Sequence, residues 1–130
     1  MAFTHTISVN YKTDAGTLSA TTDIVTADTE TGLQTVVSAG AVNFFRALSV
    51  NKSQLASLAI KVTKACTVKT NSTGGVDVFD LADGGAVVWN RDGTAANPIT
   101  TSITGFYFDG GPVDSTVKMS FLVDQPGAGS

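Results

Sequence analysis

His5, Cys66 and Glu30 are each the sole residue of their type in this chain, and that scarcity bounds the chemistry available. One histidine and one cysteine cannot build the four-ligand Cys/His zinc sites. A Cys–His nucleophile pair has only His5 to activate Cys66. His5 shares a strand face with Phe3, Ile7, Val9 and Tyr11, which reads as a hydrogen-bonded histidine at the edge of the core or of an interface. Cys66, in an apolar context, reads as a buried small hydrophobe; a lone cysteine forms no internal disulfide and leaves the redox compartment open. Asp77, Asp80 and Asp83 precede Gly84-Gly85 at three-residue spacing, a pattern that can gather oxygen ligands around calcium. An EF-hand loop also needs its ligand ladder and a terminal Glu, and a calcium-binding β-roll needs repeats of a unit present once, as Gly74-Gly75-Val76-Asp77. On a strand, Asp77 and Asp80 point to opposite faces, so the three aspartates read as strand-edge and turn residues. Glu30 and the loop aspartates give no specific signal for a glycosidase-type pair, which geometry leaves open, and no glycine pair is followed by Lys and a helix to cradle phosphate. The expectation is a non-enzymatic domain with no metal and no cofactor.

The whole chain must then be understood through its surfaces. Its 130 residues suit one domain, which at this size buries roughly two-thirds of its unfolded surface and needs no staple. Hydrophobic residues make up 42% and charged residues 15%, the latter well below the roughly 25% usual in globular domains. Thr, Ser, Asn and Gly supply a neutral polar coat instead, which suits β-structure and subunit contacts. The net charge is −3 and no cluster of Lys and Arg stands out, so nucleic acid and anionic membrane are poor partners. Lys61, Lys64 and Lys69 read as a solvated strand face. The first residues lack the basic and apolar regions of a secretory signal, and no stretch approaches the roughly 20 apolar residues of a membrane span; a soluble protein made in the cytoplasm is expected. The glycosylation-like patterns at Asn51 and Asn71 read as accidents of a Ser/Thr-rich composition.

Period-2 alternation dominates the chain. Phe3, His5, Ile7, Val9 and Tyr11 alternate with Thr4, Thr6, Ser8, Asn10 and Lys12, a half-buried strand. Asp14-Ala15-Gly16 supplies a hairpin turn to a second strand over 18–27. Further strands are expected at 33–38, 43–49, 56–63, 65–70, 76–81, 86–90, 101–108 and 116–123, with turns at Thr31-Gly32, Ala39-Gly40, Gly74-Gly75, Asp83-Gly84-Gly85, Asp92-Gly93 and Asp109-Gly110-Gly111-Pro112. A single helical turn at 52–56, capped by Ser53, is the only helical signal. The expected fold is an all-β antiparallel sandwich over 1–124, followed by a flexible tail at 125–130.

The aromatic residues carry the strongest hint of function. Strand alternation sends Phe106 and Phe108 to one face of 103–108, with Ile103 and Tyr107 on the other, so both faces are apolar. Phe44-Phe45 repeats the pattern, and Trp89 ends the non-alternating run Ala86-Val87-Val88-Trp89. Strands apolar on both sides demand a second covering surface. Phe3, Phe44, Phe45, Trp89, Phe106 and Tyr107 are therefore the candidate interface residues, and a homo-oligomer is expected. Two other readings stand beside this one: a central strand under a long loop, and a carbohydrate platform made by Trp89 and Tyr107.

A short, acidic, Gly/Thr-rich β-chain with a glycine-rich tail resembles the small virion proteins of tailed bacteriophages, especially capsid decoration or cement proteins with jelly-roll-like sandwiches. The resemblance lies in Leu58–Thr70 and in the final strands Ser102–Phe108 and Thr116–Val123. It implies a structural virion protein that trimerises and clamps the major capsid protein or other virion subunits, stabilising the shell by mass action. Different classes of function remain as alternatives: a carbohydrate- or receptor-binding module of a phage tail or fibre, and a small β-sandwich hydrolase or lyase.

Overall fold

The computed structural model of the chain describes residues 3–27, 29–93 and 95–124, and within 3–27 the side chains of 4–8 and 14–16. The expected tail at 125–130 lies outside the described residues. Ten strands follow one another: β1 (Phe3–Thr13), β2 (Gly16–Ala27), β3 (Thr29–Val37), β4 (Phe44–Arg46), β5 (Leu55–Val62), β6 (Cys66–Thr70), β7 (Val78–Leu81), β8 (Ala86–Asn90), β9 (Phe106–Gly110) and β10 (Ser115–Val123). All pairings are antiparallel.

The topology of the last eight strands follows from one long hairpin rolled up. β3 pairs with β10, β4 with β9, β5 with β8 and β6 with β7. Rolling this double strip onto itself adds the β10–β5 and β9–β6 pairs. The outcome is two four-stranded sheets of order β3-β10-β5-β8 and β4-β9-β6-β7, which is a jelly roll. Non-local pairing of this kind leaves the core between the sheets. Val117, Met119 and Phe121 of β10 and Leu58, Ile60 and Val62 of β5 face Val68, Phe106 and Phe108 of the other sheet. Phe106 stacks on Phe108 and Phe121, with ring centroids 6.1 and 6.0 Å apart.

Several expectations shift in register, and the turn expected at Thr31-Gly32 lies instead within β3, where the two residues pair with Phe121 and Ser120. The strand expected over 101–108 starts only at Phe106. Ile103 instead makes an isolated bridge to Val50 and is 2% exposed, so its side chain enters the core rather than sharing a face with Tyr107. The chain breaks phase at Gly105, where a Cβ would stand 2.5 Å from Cε1 of Phe45. β4 keeps three residues of the expected seven. The helical turn is a 3₁₀ turn over Lys52–Gln54 capped by Asn51, whose side chain accepts the Ser53 N–H, rather than by Ser53.

The β1–β2 hairpin stands apart as a two-stranded ribbon. Thr4, His5, Thr6 and Ile7 border the outer side of the β3-β10-β5-β8 sheet beside Ser57, Ala59, Val88 and Ser120. Ser57, Ala59 and Ser120 on that side are small, Val36 and Val88 on it are 57% and 53% exposed, and a second buried cluster, Ala56 with Leu122, lies apart from the main core.

Candidate functional site

The outer face of the β4-β9-β6-β7 sheet brings together the features that recognition needs. Strand register places Phe45, Tyr107, Lys69 and Val78 side by side in one row across all four strands. Side chains alternate in a strand, so this row faces away from the core that Phe106, Phe108 and Val68 occupy. Phe45 is 47% and Val78 51% exposed. The Phe45 and Tyr107 rings lie 5.0 Å apart and tilted by 48°, within the range of favourable aromatic pairs.

Lys69 stiffens the row. Its residue is 8% exposed, with Nζ donating to Asp109 Oδ2 at 2.7 Å and to Asn43 Oδ1 at 2.6 Å. Asp109 Oδ1 accepts the backbone N–H of Asn43 at 2.8 Å, holding Asn43 in the left-handed region at φ 52°. The Lys69 hydrogen bond first, then the Asn43 N–H, keep the Asp109 carboxyl below its ordinary range; both favour the charged carboxylate. Gly75 covers the lysine stem: a Cβ there would lie 3.1 Å from Lys69 Cβ, and its φ of +75° favours glycine. The solvated face expected for three lysines therefore holds only for Lys61 and Lys64, which are exposed. Lys69 is buried because Asp109 sits diagonally beside it on the neighbouring strand and neutralises its charge.

The candidate interface residues separate in space. Phe45 and Tyr107 come together on the outer face. Phe44 points the other way, 38% exposed with its ring 6.3 Å from that of Phe108. Phe106, at 0% exposure, is core. Trp89 belongs to the other sheet and is 8% exposed, with Nε1 donating to Ala95 O at 3.0 Å. Neither Phe106 nor Trp89 can anchor a partner, and a Trp89–Tyr107 platform is ruled out because the two side chains are on different sheets and Trp89 faces inward. The reason is alternation itself: in β8 it is Val88, 53% exposed, that faces out. The side chain of Phe3 lies outside the described residues. Asn43, Lys69 and Asp109 were not expected at the site; the sequence signal was the opposite charge of Lys69 and Asp109 flanking an aromatic strand.

The remaining reactive groups each have structural partners. His5 Nδ1 meets Ser57 Oγ at 2.9 Å, and Nε2 meets Glu30 Oε2 at 2.9 Å, with Ser120 Oγ 3.4 Å from Nε2. The set has the composition of a Ser–His–Glu relay. Ser57 is 2% exposed and mid-strand, flanked by Leu122 and Asn90, and it borders a cleft of about 260 Å³ together with His5, Ala59, Val88 and Ser120. What His5 does is tie the ribbon to three strands of the sheet beneath it. The aspartates also go separate ways: Asp77 accepts Thr100 N–H and Oγ1, Asp80 accepts Thr67 Oγ1, and Asp83 accepts Ala65 N–H. Among the described residues no three His, Cys, Asp or Glu side chains converge to hold a metal. Burial, with a smaller push from Asp109, raises the Cys66 thiol to about 11, which keeps it protonated and unreactive near neutrality. No family model, no curated protein and no solved structure matches this chain.

Proposed function

We propose that this chain is a non-enzymatic structural protein of a tailed-phage virion, a decoration or cement protein that binds the assembled shell through the outer face of its β4-β9-β6-β7 sheet. One observation carries the reading. The protein lays its own ribbon against part of the outer side of one sheet, and leaves on the other a row of exposed Phe45 and Val78 with half-buried Tyr107, braced by the Lys69–Asp109 ion pair. Rigid aromatic side chains on a preset backbone lose little entropy on binding and are the usual centres of protein interfaces. Jelly rolls recur in viral capsid domains, which supports the reading at the level of fold.

The partner is a surface repeated many times on the shell. A modest contact made at each copy adds up to shell stabilisation by mass action, and binds shells in preference to free coat subunits. A homo-oligomer, with three copies favoured by the resemblance, would present the Phe45–Tyr107 row to equivalent coat subunits. Light scattering coupled to size exclusion tests this part: particles near 40 kDa, three times the 13.3 kDa chain, are expected, and a monodisperse monomer would contradict it. Mass spectrometry of purified virions from the source tests the whole, since the chain should be present in many copies per particle.

The hydrolase alternative keeps one supporting observation, the Ser57–His5–Glu30 set. Turnover of a simple ester that disappears in Ser57→Ala would favour it over shell binding.

A further inference from the structure

An amine, a carboxamide and a carboxylate from three separate parts of the chain meet on the outer face of the β4-β9-β6-β7 sheet. They are Lys69 on β6, Asn43 just before β4, and Asp109 on β9. Lys69 Nζ lies 2.6 Å from Asn43 Oδ1 and 2.7 Å from Asp109 Oδ2. Because a C=O bond is about 1.23 Å long, Nζ stands no more than about 3.8 Å from the Asn43 carbonyl carbon, Cγ. That is close to the roughly 3–3.5 Å separation from which bonds form.

The surroundings hold the three groups in register. Lys69 is 8% exposed, with Tyr107 and Val78 opposite it on the flanking strands and Gly75 against its stem, so its side chain has little room to leave its partners. Asp109 also sets the carboxamide, since its Oδ1 accepts the Asn43 N–H at 2.8 Å while Asn43 sits at φ 52°. One carboxylate therefore positions both nucleophile and electrophile, which removes much of the entropic cost of bringing them together. Other lysine and asparagine contacts lack this convergence. The Lys64–Asp83 pair spans 3.9 Å with both side chains more than half exposed, and Asn71 engages both ends of its amide with 102–104.

We propose that Lys69 and Asn43 join in an intramolecular isopeptide bond, with Asp109 as the proton carrier; the bond does not depend on the shell-binding reading. Asp109 accepts a proton from Nζ, and the resulting neutral amine attacks Cγ. The N–C bond forms as the C=O electron pair moves onto Oδ1, and its return expels the amide nitrogen. That nitrogen receives one proton from the attacking nitrogen and one from Asp109, so ammonium leaves and Asp109 is a carboxylate again. Nothing is oxidised or reduced. The Lys69 hydrogen bond keeps the Asp109 carboxyl below its ordinary range, so the first proton transfer is uphill and the bond forms slowly in the folded chain. The product ties the three-residue β4 across β9 to β6 and closes a covalent loop over 43–69.

The test is intact-mass spectrometry of the purified full chain, fresh and after prolonged incubation at neutral pH, with tandem spectrometry of its proteolytic peptides. A species lighter by one ammonia, about 17 Da, should accumulate, and a branched peptide should join the segments holding Asn43 and Lys69. Asn43→Gly, which suits the left-handed φ and removes the carboxamide, should keep its full mass, as should Lys69→Arg. Asp109→Asn, shown to be folded by circular dichroism, should lose ammonia at least about tenfold more slowly. Absence of the lighter species from both fresh and incubated wild type would overturn the proposal. So would a loss that persists in Lys69→Arg, which marks cyclisation of Asn43 onto its own backbone, or an undiminished rate in Asp109→Asn.

Discussion

The two outer faces of this sandwich use opposite solutions to the same problem. The β3-β10-β5-β8 face presents the small side chains Ser57, Ala59 and Ser120 where the protein lays its own ribbon against it through His5, and leaves Val36 and Val88 exposed beside them. The β4-β9-β6-β7 face presents large ones, Phe45, Tyr107 and Val78, with a Lys69–Asp109 ion pair between strands in which only the lysine is buried. Small residues permit close approach of another backbone, so that face is built for an intramolecular cover. Among the described residues nothing covers Phe45 and Val78, which makes them available to the partner proposed above.

The core that both faces share should show the largest effect. Phe106 is fully buried and stacked between Phe108 and Phe121, so Phe106→Ala should cost about 3–5 kcal/mol in urea unfolding. A loss under about 1 kcal/mol would place the sheet-to-sheet packing elsewhere.

On the covered face, His5→Ala should cost about 1–3 kcal/mol, because Ser57 Oγ keeps its burial and loses its partner. Stability unchanged within about 0.5 kcal/mol would mean the ribbon is not held by His5. On the open face the corresponding test is acidification. The folded carboxyl of Asp109 is lowered relative to the unfolded value, so its contribution is fully present above the usual aspartate range near 3.9. It is lost as pH falls through the folded value. Asp109 is more than a third exposed, and solvent screening keeps the effect small. Stability curves of wild type and Asp109→Asn should therefore differ near neutrality and converge in acid; parallel curves would remove the ion pair from the list of braces.

The smallest change in stability is expected for the residues given the greatest functional weight. Phe45→Ala and Tyr107→Ala each remove contacts from a face already open to solvent, so each should cost less than about 1 kcal/mol. A cost of 2 kcal/mol or more, about that of a core residue, would show that the row serves the fold.

These contrasts also explain what was legible in the sequence. Ten strands were readable because alternation and Gly/Asp turns specify strand existence locally, and β5, β6, β8 and β10 fall within two residues of expectation. The two-sided pattern of Phe44-Phe45 and Phe106-Tyr107-Phe108 was also correct as a pattern. Which side is core was not legible. Phase along 101–108 is broken at Gly105 by a tertiary approach to Phe45, a contact that leaves no local mark, so Ile103 was assigned to the wrong side. Trp89 was misjudged because a run without alternation hides its period; only pairing with Leu58 turns it inward. Lys69 read as solvated because its carboxylate lies forty residues away in sequence, on β9.

The most direct measurement is co-sedimentation of the purified chain with assembled shells and, in parallel, with free coat subunits from the source. Wild type should pellet with shells and stay in solution with free subunits. Tyr107→Asp, which places an unpaired charge in the middle of the open face, should remain in the supernatant while keeping its fold. Lys118→Asp, on the opposite sheet, should pellet like wild type. Failure of the wild type to bind shells, or binding by Tyr107→Asp as strong as that of Lys118→Asp, would contradict the assignment of the open face to shell recognition.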